Sequence, residues 1–185
     1  MKLGIIAGSA IAIVAIFGLM NYADAAVDMF IKIKDIDGES VDQDHPNWID
    51  LLSFSWGASN TVSQPTGGGQ REVGVADISD MTFVKKADKS SPKLFLAVAR
   101  GDSIDTATVH LTQSFENGNI PFIILDLDDV LVTSYSISGA SGGDNPTESI
   151  SLNFVKIKYT YEKLDKTGKS GGKVDAIWDI SKGVS

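Results

Sequence analysis

From Thr106 to Ile180 the chain is a succession of runs rich in β-branched and aromatic residues, cut by three stretches of turn chemistry. The runs are Thr106 to Phe115, Pro121 to Leu127, Val130 to Ile137, Ile150 to Lys163 and Val174 to Ile180. Between them lie Glu116-Asn117-Gly118-Asn119, Gly139 to Pro146 and Asp165 to Gly172, where glycine, asparagine and proline favour reversals over continued strands. Strands of this kind bury one face each only by pairing into a sheet that closes or doubles over. The fold class is therefore mainly β, a closed barrel or sandwich.

One helix interrupts the pattern. Ser91 is a good N-cap, Pro92 suits the first helical position, Leu94, Phe95 and Val98 form one apolar face, and Gly101 is placed to end the helix after Arg100. A helix this short needs a sheet to pack against.

The first half of the chain adds further strands. Ile31 and Ile33 alternate with Lys32 and Lys34, a half-exposed strand that ends in Asp35-Ile36-Asp37-Gly38-Glu39. After a polar stretch broken by Pro46 comes Ile49-Asp50-Leu51-Leu52-Ser53-Phe54-Ser55-Trp56-Gly57. Period-two alternation places Leu52, Phe54 and Trp56 on a core face, with Leu51, Ser53 and Ser55 on the other. A second face carrying small hydroxyls reads as a wall facing water or a partner. Ser59 to Arg71, with Pro65 and Gly67-Gly68-Gly69, reads as a long flexible loop, and Val73 to Val84 as one or two strands around Asp80, with Met81 and Phe83 on one side.

Composition removes several classes of function. With 16 basic and 24 acidic side chains the net charge is -8, a field that opposes nucleic acid and anionic membranes. The chain has no cysteine, so thiolate nucleophiles, disulfides and cysteine metal sites are excluded together. Gly139-Ala140-Ser141-Gly142-Gly143 fits the G-x-S-x-G elbow but is followed by Asp144-Asn145-Pro146 and a strand, whereas the elbow needs a helix; neither His45 nor His110 is identifiable as its base. Gly168-Lys169-Ser170 lacks the upstream glycine and the helix of a phosphate-binding loop. The acidic stretch from Asp35 to Asp44 offers oxygen ligands without EF-hand spacing, and Asp126, Asp128 and Asp129 read as charges on an exposed strand edge. No catalytic set, metal site or cofactor is expected.

The first 25 residues differ from the rest. Lys2 is followed by Leu3 to Met20 without a charge, ending near Ala23-Asp24-Ala25, a cleavage-like pattern. This reads as a secretory signal peptide, with an uncleaved membrane anchor and a buried helix as the alternatives. Cleavage after Ala25 leaves a mature chain starting at Ala26, so residues 1–25 and 26–185 are the two expected units.

Several mature segments occur in the order and spacing of a known family: Ala26 to Ile33, Ser53-Phe54-Ser55-Trp56-Gly57, Asp88-Lys89-Ser90-Ser91-Pro92-Lys93-Leu94, Val130 to Ser134, and Glu148 to Phe154. The chain resembles Hcp, the tube protein of type VI secretion systems. That resemblance implies a compact β-barrel of two packed sheets with one short helix, six copies of which close into a ring. Rings of the family stack into a tube that carries effectors in its bore, under a VgrG-like spike. Carried across, Ser55, with Ser53 on the same face, is the lumen and effector-binding position. The segment Asn60, Gln64, Pro65, Gly67, Gly68, Gly69 and Arg71 corresponds to the loop that reaches the next ring. Partners implied are further copies of the chain, a spike and small secreted effectors, with no nucleic acid. Family members generally lack a signal peptide, so the N-terminus here points to a secreted or periplasmic protein, or an exported ring or filament without a contractile apparatus. A membrane-tethered ring and a start site assigned too early are the remaining alternatives.

Overall fold

The computed structural model describes residues 27–63, 72–116 and 118–184, apart from the side chains of residues 63, 72 and 73. The signal-like segment therefore lies outside the described residues. Among the described residues ten strands and one helix follow in order: β1 Val27–Ile33, β2 Ile49–Asp50, β3 Ser53–Ser55, β4 Ala58–Ser63, β5 Glu72–Ile78, β6 Met81–Lys86, α1 Ser91–Arg100, β7 Ser103–Phe115, β8 Gly118–Ser138, β9 Thr147–Leu164 and β10 Ser170–Asp179.

Eight strands form one curled antiparallel sheet in the order β2-β1-β7-β8-β9-β6-β3, with β10 added beside β9; β4 and β5 pair with each other as a separate two-stranded sheet. The sheet's two ends meet at the stretch from Ile49 to Ser55. Its first part pairs with β1, Ile49 opposite Ile31, and its second part pairs with β6, Ser53 opposite Val84. Between them the Leu51 N–H donates to the Met29 carbonyl at 2.9 Å and the Leu52 N–H to the Val84 carbonyl at 2.8 Å. Seven residues thus staple the β1 and β6 ends of the sheet together.

That crossing corrects the expected alternation. Passing from one edge to the other resets the side-chain period, so Ile49 and Leu51 are buried, Leu52 is exposed, and Phe54 and Trp56 are half-buried. Gly38 lies under the start of this staple. A Cβ there would sit 2.6 Å from the Ile49 Cα, so only glycine lets the two backbones pass so closely.

Cross-strand rows run over the sheet's inner face, buried or half-buried where they cross β1, β7 and β8 and exposed at Tyr159, Tyr161, Val174 and Ala176. Met29, Leu111, Ile123, Tyr161 and Val174 stand opposite one another, as do Ile31, Val109, Leu125, Tyr159 and Ala176, and then Ile33, Ala107, Leu127, Ile157 and Trp178. Burying such branched side chains, each worth roughly 1.5–3 kcal/mol, is what drives the curl.

The helix runs one residue earlier than expected, with Ser90 at the N-cap, Pro92 in the first turn and Gly101 left-handed at φ 67°. Leu94 and Ala97 form its buried side, whereas Phe95 is 57% exposed, which corrects its place on the apolar face. The runs expected on either side of Asp128-Asp129 are one strand, β8, which passes through Asp129 at φ 52° without losing its neighbours. Because β8 is flanked by β7 and β9, Asp126 and Asp128 lie mid-sheet and not on an edge. Asp126 accepts from the Thr108 hydroxyl and stands opposite Lys158, while Asp128 pairs with Lys156.

Candidate functional site

Ser53 and Ser55 are both exposed, and strand pairing shows that they belong to a larger surface. Ser55 stands opposite Thr82, Thr82 opposite Ser151, and Ser151 opposite Ser134. One step along, Ser53, Val84, Ser149 and Ser136 form a parallel row. Directly opposed residues share a face, so seven hydroxyls and one valine tile the outside of four adjacent strands, about 14 Å across at ~4.8 Å per strand. Thr82 and Ser151 hydrogen-bond through their hydroxyls at 2.9 Å. The alternate row beneath, Phe54, Phe83, Ile150 and Tyr135, faces the core, with Phe83 and Ile150 fully buried.

Charge stands only at the margins. At one end Asp80 accepts hydrogen bonds from the Thr133 hydroxyl at 2.6 Å and the Asn153 amide at 2.8 Å. At the other, Lys86 opposes Thr147. The face itself offers short, neutral groups that donate and accept hydrogen bonds without holding a counter-ion. Such a surface wets readily and grips weakly. The alternation in Ser134-Tyr135-Ser136 and Ser149-Ile150-Ser151 is the signal that could have marked two more strands with hydroxyl faces, which the sequence analysis missed. Which strands stand beside Ser53 and Ser55 carries no such local signal.

The start of the segment read as a flexible loop, Ser59 to Ser63, belongs instead to strand β4, paired with β5. Ala58 opposes Ile78 and Asn60 opposes Ala76, so Asn60 lies within β4, while Gln64, Pro65, Gly67, Gly68, Gly69 and Arg71 lie outside the described residues. At its base Ser79 clamps Gly57: the Gly57 N–H donates to the Ser79 hydroxyl, and that hydroxyl and the Ser79 N–H both donate to the Gly57 carbonyl, each at 3.0 Å. The arm reaches about 20 Å beyond this clamp at ~3.4 Å per residue. Val62 and Val75 are exposed on it. An isolated two-stranded hairpin is marginally stable in water.

Two polar clusters support these surfaces, and neither was evident from sequence. Lys85, 0% exposed, donates to Glu148 Oε2 at 2.7 Å, Asp88 Oδ1 at 2.8 Å, the Ser91 hydroxyl at 3.1 Å and the Lys86 carbonyl at 2.9 Å. Glu148 also accepts from the Tyr135 hydroxyl at 2.7 Å, and burial followed by this carboxylate pushes the phenol up to about 12. The network ties β6, α1, β8 and β9 together. On the other side of the barrel, Asp42 Oδ1 faces His45 Nδ1 at 2.7 Å, and His45 Nε2 faces His110 Nδ1 at 2.9 Å. Burial works to raise Asp42, but hydrogen bonds from His45 and Asn119 outweigh it and hold the carboxyl below 3.8. His110 is pushed down to about 4 by burial and then by His45, with Asp126 opposing. His45 stacks on Phe30 at 4.3 Å and meets Trp48 edge-on, so the loop from Asp42 to Trp48 is pinned over β1 and β7.

The remaining tempting motifs resolve locally. Ser141 sits in an exposed loop leading directly into β9. Asp37 pairs with Lys32 at 2.9 Å, and Asp44 accepts from the Asn119 backbone at 3.1 Å. Among the described residues no group of three or more histidines and carboxylates is placed to hold a metal ion, and no helix is long and apolar enough to cross a membrane.

A curled antiparallel sheet with one lateral helix, a projecting hairpin and a hydroxyl-tiled wall defines a protein that presents surfaces. The model of the family described as "Type VI secretion system effector, Hcp" matches residues 30–161. The chain is 38% identical over 160 residues to Protein hcp1 of Pseudomonas aeruginosa, spanning 86% of this chain and 98% of that one. A solved structure of a type six secretion system protein superposes with a TM-score of 0.80 at 33% identity, covering 85% of this chain and 98% of the other. Hcp1 from Salmonella typhimurium gives a TM-score of 0.69 at 28% identity, covering 85% and 97%. The chain belongs to the Hcp family of type VI secretion proteins.

Proposed function

We propose that this chain is a structural subunit, six copies of which close into a ring, and that the rings stack into a tube carrying small secreted effectors in its bore. The observation that carries this reading is the hydroxyl face. A bore that must hold cargo and release it needs a wall that is wetted, uncharged and free of deep pockets, and the Ser53–Ser55 rows supply one. The β4–β5 arm, with residues 64–71 at its tip, is the element that reaches the next ring. A VgrG-like spike is the partner at the tube's end. The reading assigns no catalytic turnover to the chain.

Residues 1–25 act in this reading as a leader removed after Ala25, leaving residues 26–185 as the barrel and placing the ring in the periplasm or outside the cell. Edman sequencing of the native protein from fractionated cells tests this. A start at Ala26 outside the cytoplasm supports export, an intact leader in membranes supports a tethered ring, and a cytoplasmic start near Ala26 supports an initiation site downstream of Met1.

The bore assignment is tested by Ser55→Gln. A longer amide projecting from the wall reduces co-purification of cargo several-fold and leaves ring mass unchanged. Rings that fall apart would show instead that Ser55 is a subunit contact.

A further inference from the structure

Two imidazoles meet beneath the loop that runs from Asp42 to Trp48. His45, 1% exposed, lies face-on over Phe30 with ring centroids 4.3 Å apart, and Phe30 is itself buried. The Asp42 carboxylate faces His45 Nδ1 at 2.7 Å and also accepts from the backbone N–H groups of Asp44 and His45. Across the ring, His45 Nε2 faces His110 Nδ1 at 2.9 Å, and His110 stands on β7 opposite Phe30. Trp48 closes the group by packing against both imidazoles.

The contact between the rings has room for one proton. Whichever imidazole carries it donates, and the other accepts with its lone pair. A second proton sets two N–H groups and two like charges face to face, in a place where burial weakens screening. The charges around the pair do not relieve this. Asp42 is already engaged by His45 and by the Asn119 amide, and Asp44 accepts from the Asn119 N–H. On β8, Asp126 lies two residues from Ile124, the cross-strand partner of His110, and stands opposite Lys158 on β9. Asp28 and Lys32 flank Phe30 on the same face of β1, with Lys32 paired to Asp37, and Asp50 opposes Phe30 on β2. His110 accordingly resists protonation down to about 4, through burial first and His45 next, with Asp126 opposing.

We propose that this cluster is an acid-sensitive latch: a second proton on the paired imidazoles frees the loop from Asp42 to Trp48 from β1 and β7 as a unit, while the barrel stays folded. Apart from the cluster, the loop is tied by backbone bonds to Gly38 and Ser40 at its own base and by Lys89 and Asn119 at its rim. Opening uncovers Phe30 and Trp48, an apolar patch presented only in acid. The latch works within one chain and does not depend on the ring reading.

Hydrogen exchange followed by NMR on the purified protein, from pH 6.5 to about 4 and with intrinsic rates divided out, tests this. One proton taken up on opening lowers the protection of the His45, Asn47 and Trp48 amides by up to about tenfold per pH unit. These amides remain less protected than those of Val109 and Leu125 throughout. In His110→Gln, whose amide still donates to His45, the fall is lost. Loop amides that keep their protection in acid overturn the latch, as does exchange in step with Val109 and Leu125, which would mean that the loop opens only when the whole molecule does. Both are read on the parent protein and decide the matter even if His110→Gln does not fold. An equal fall in a folded His110→Gln overturns it too.

Discussion

Lys85 shows how much of this structure hangs on individual buried charges. Removing one partner of a buried pair leaves the other charge uncompensated, at a cost of ~3–5 kcal/mol. Lys85→Met therefore lowers the denaturant midpoint strongly, and Lys85→Met combined with Glu148→Leu loses less than the sum of the single changes, because the stranded carboxylate is gone. Strict additivity in urea unfolding would contradict the coupling. His110 makes a separate prediction. Unfolded, it takes up a proton near 6.5; folded, it resists down to about 4, with His45, Asp42 and Asp126 as the titratable groups around it. Across that window the unfolded chain binds more protons, so stability falls as pH drops from about 6.5 to 4, by up to ~1.4 kcal/mol per pH unit. His110→Gln keeps an amide donor for His45 and flattens this acid limb. Parallel pH profiles for the two proteins would show that the histidine pair does not carry the dependence.

At the level of elements, local chemistry was readable and partnership was not. The helix was visible in Ser91-Pro92 and Gly101, because a proline in the first turn and a glycine at the end are local signals. Its outward-facing Phe95 was misplaced because helical spacing says which residues share a side, not which side meets the sheet. The staple from Ile49 to Ser55 read as one continuous strand for a similar reason: nothing in Leu51-Leu52 announces that the chain leaves β1 and joins β6 there. The acidic pair on β8 looked like an edge because sequence alone cannot show that β7 and β9 flank it. The β4–β5 arm was hidden by its tip, where Pro65 and three glycines outweighed the weak strand signal of Ala58 to Ser63. Because the arm pairs with no further strand among the described residues, we expect that deleting Pro65 to Gly69 shortens stacked tubes and spares ring closure. Unchanged tube length in negative-stain images would refute the stacking role.

For the molecule as a whole, Ser53 and Ser55 were legible as exposed hydroxyls, but the wall they belong to exists only once β3, β6, β8 and β9 are side by side. The barrel itself is a complete fold, with its edges closed on each other by the Ile49–Ser55 staple. Among the described residues, the β4–β5 hairpin pairs with no further strand, and Tyr159, Tyr161 and Val174 stand exposed on β9 and β10. A chain of net charge -8 whose hydroxyl face is neutral has its charge elsewhere on its surface, where it opposes nonspecific association. All of these features converge on assembly of identical copies. The most direct test is the native mass of the purified protein, measured with particle images of the same sample across micromolar concentrations. The account predicts closed rings of six chains with a central opening; a monomer or an isologous dimer throughout that range would contradict it.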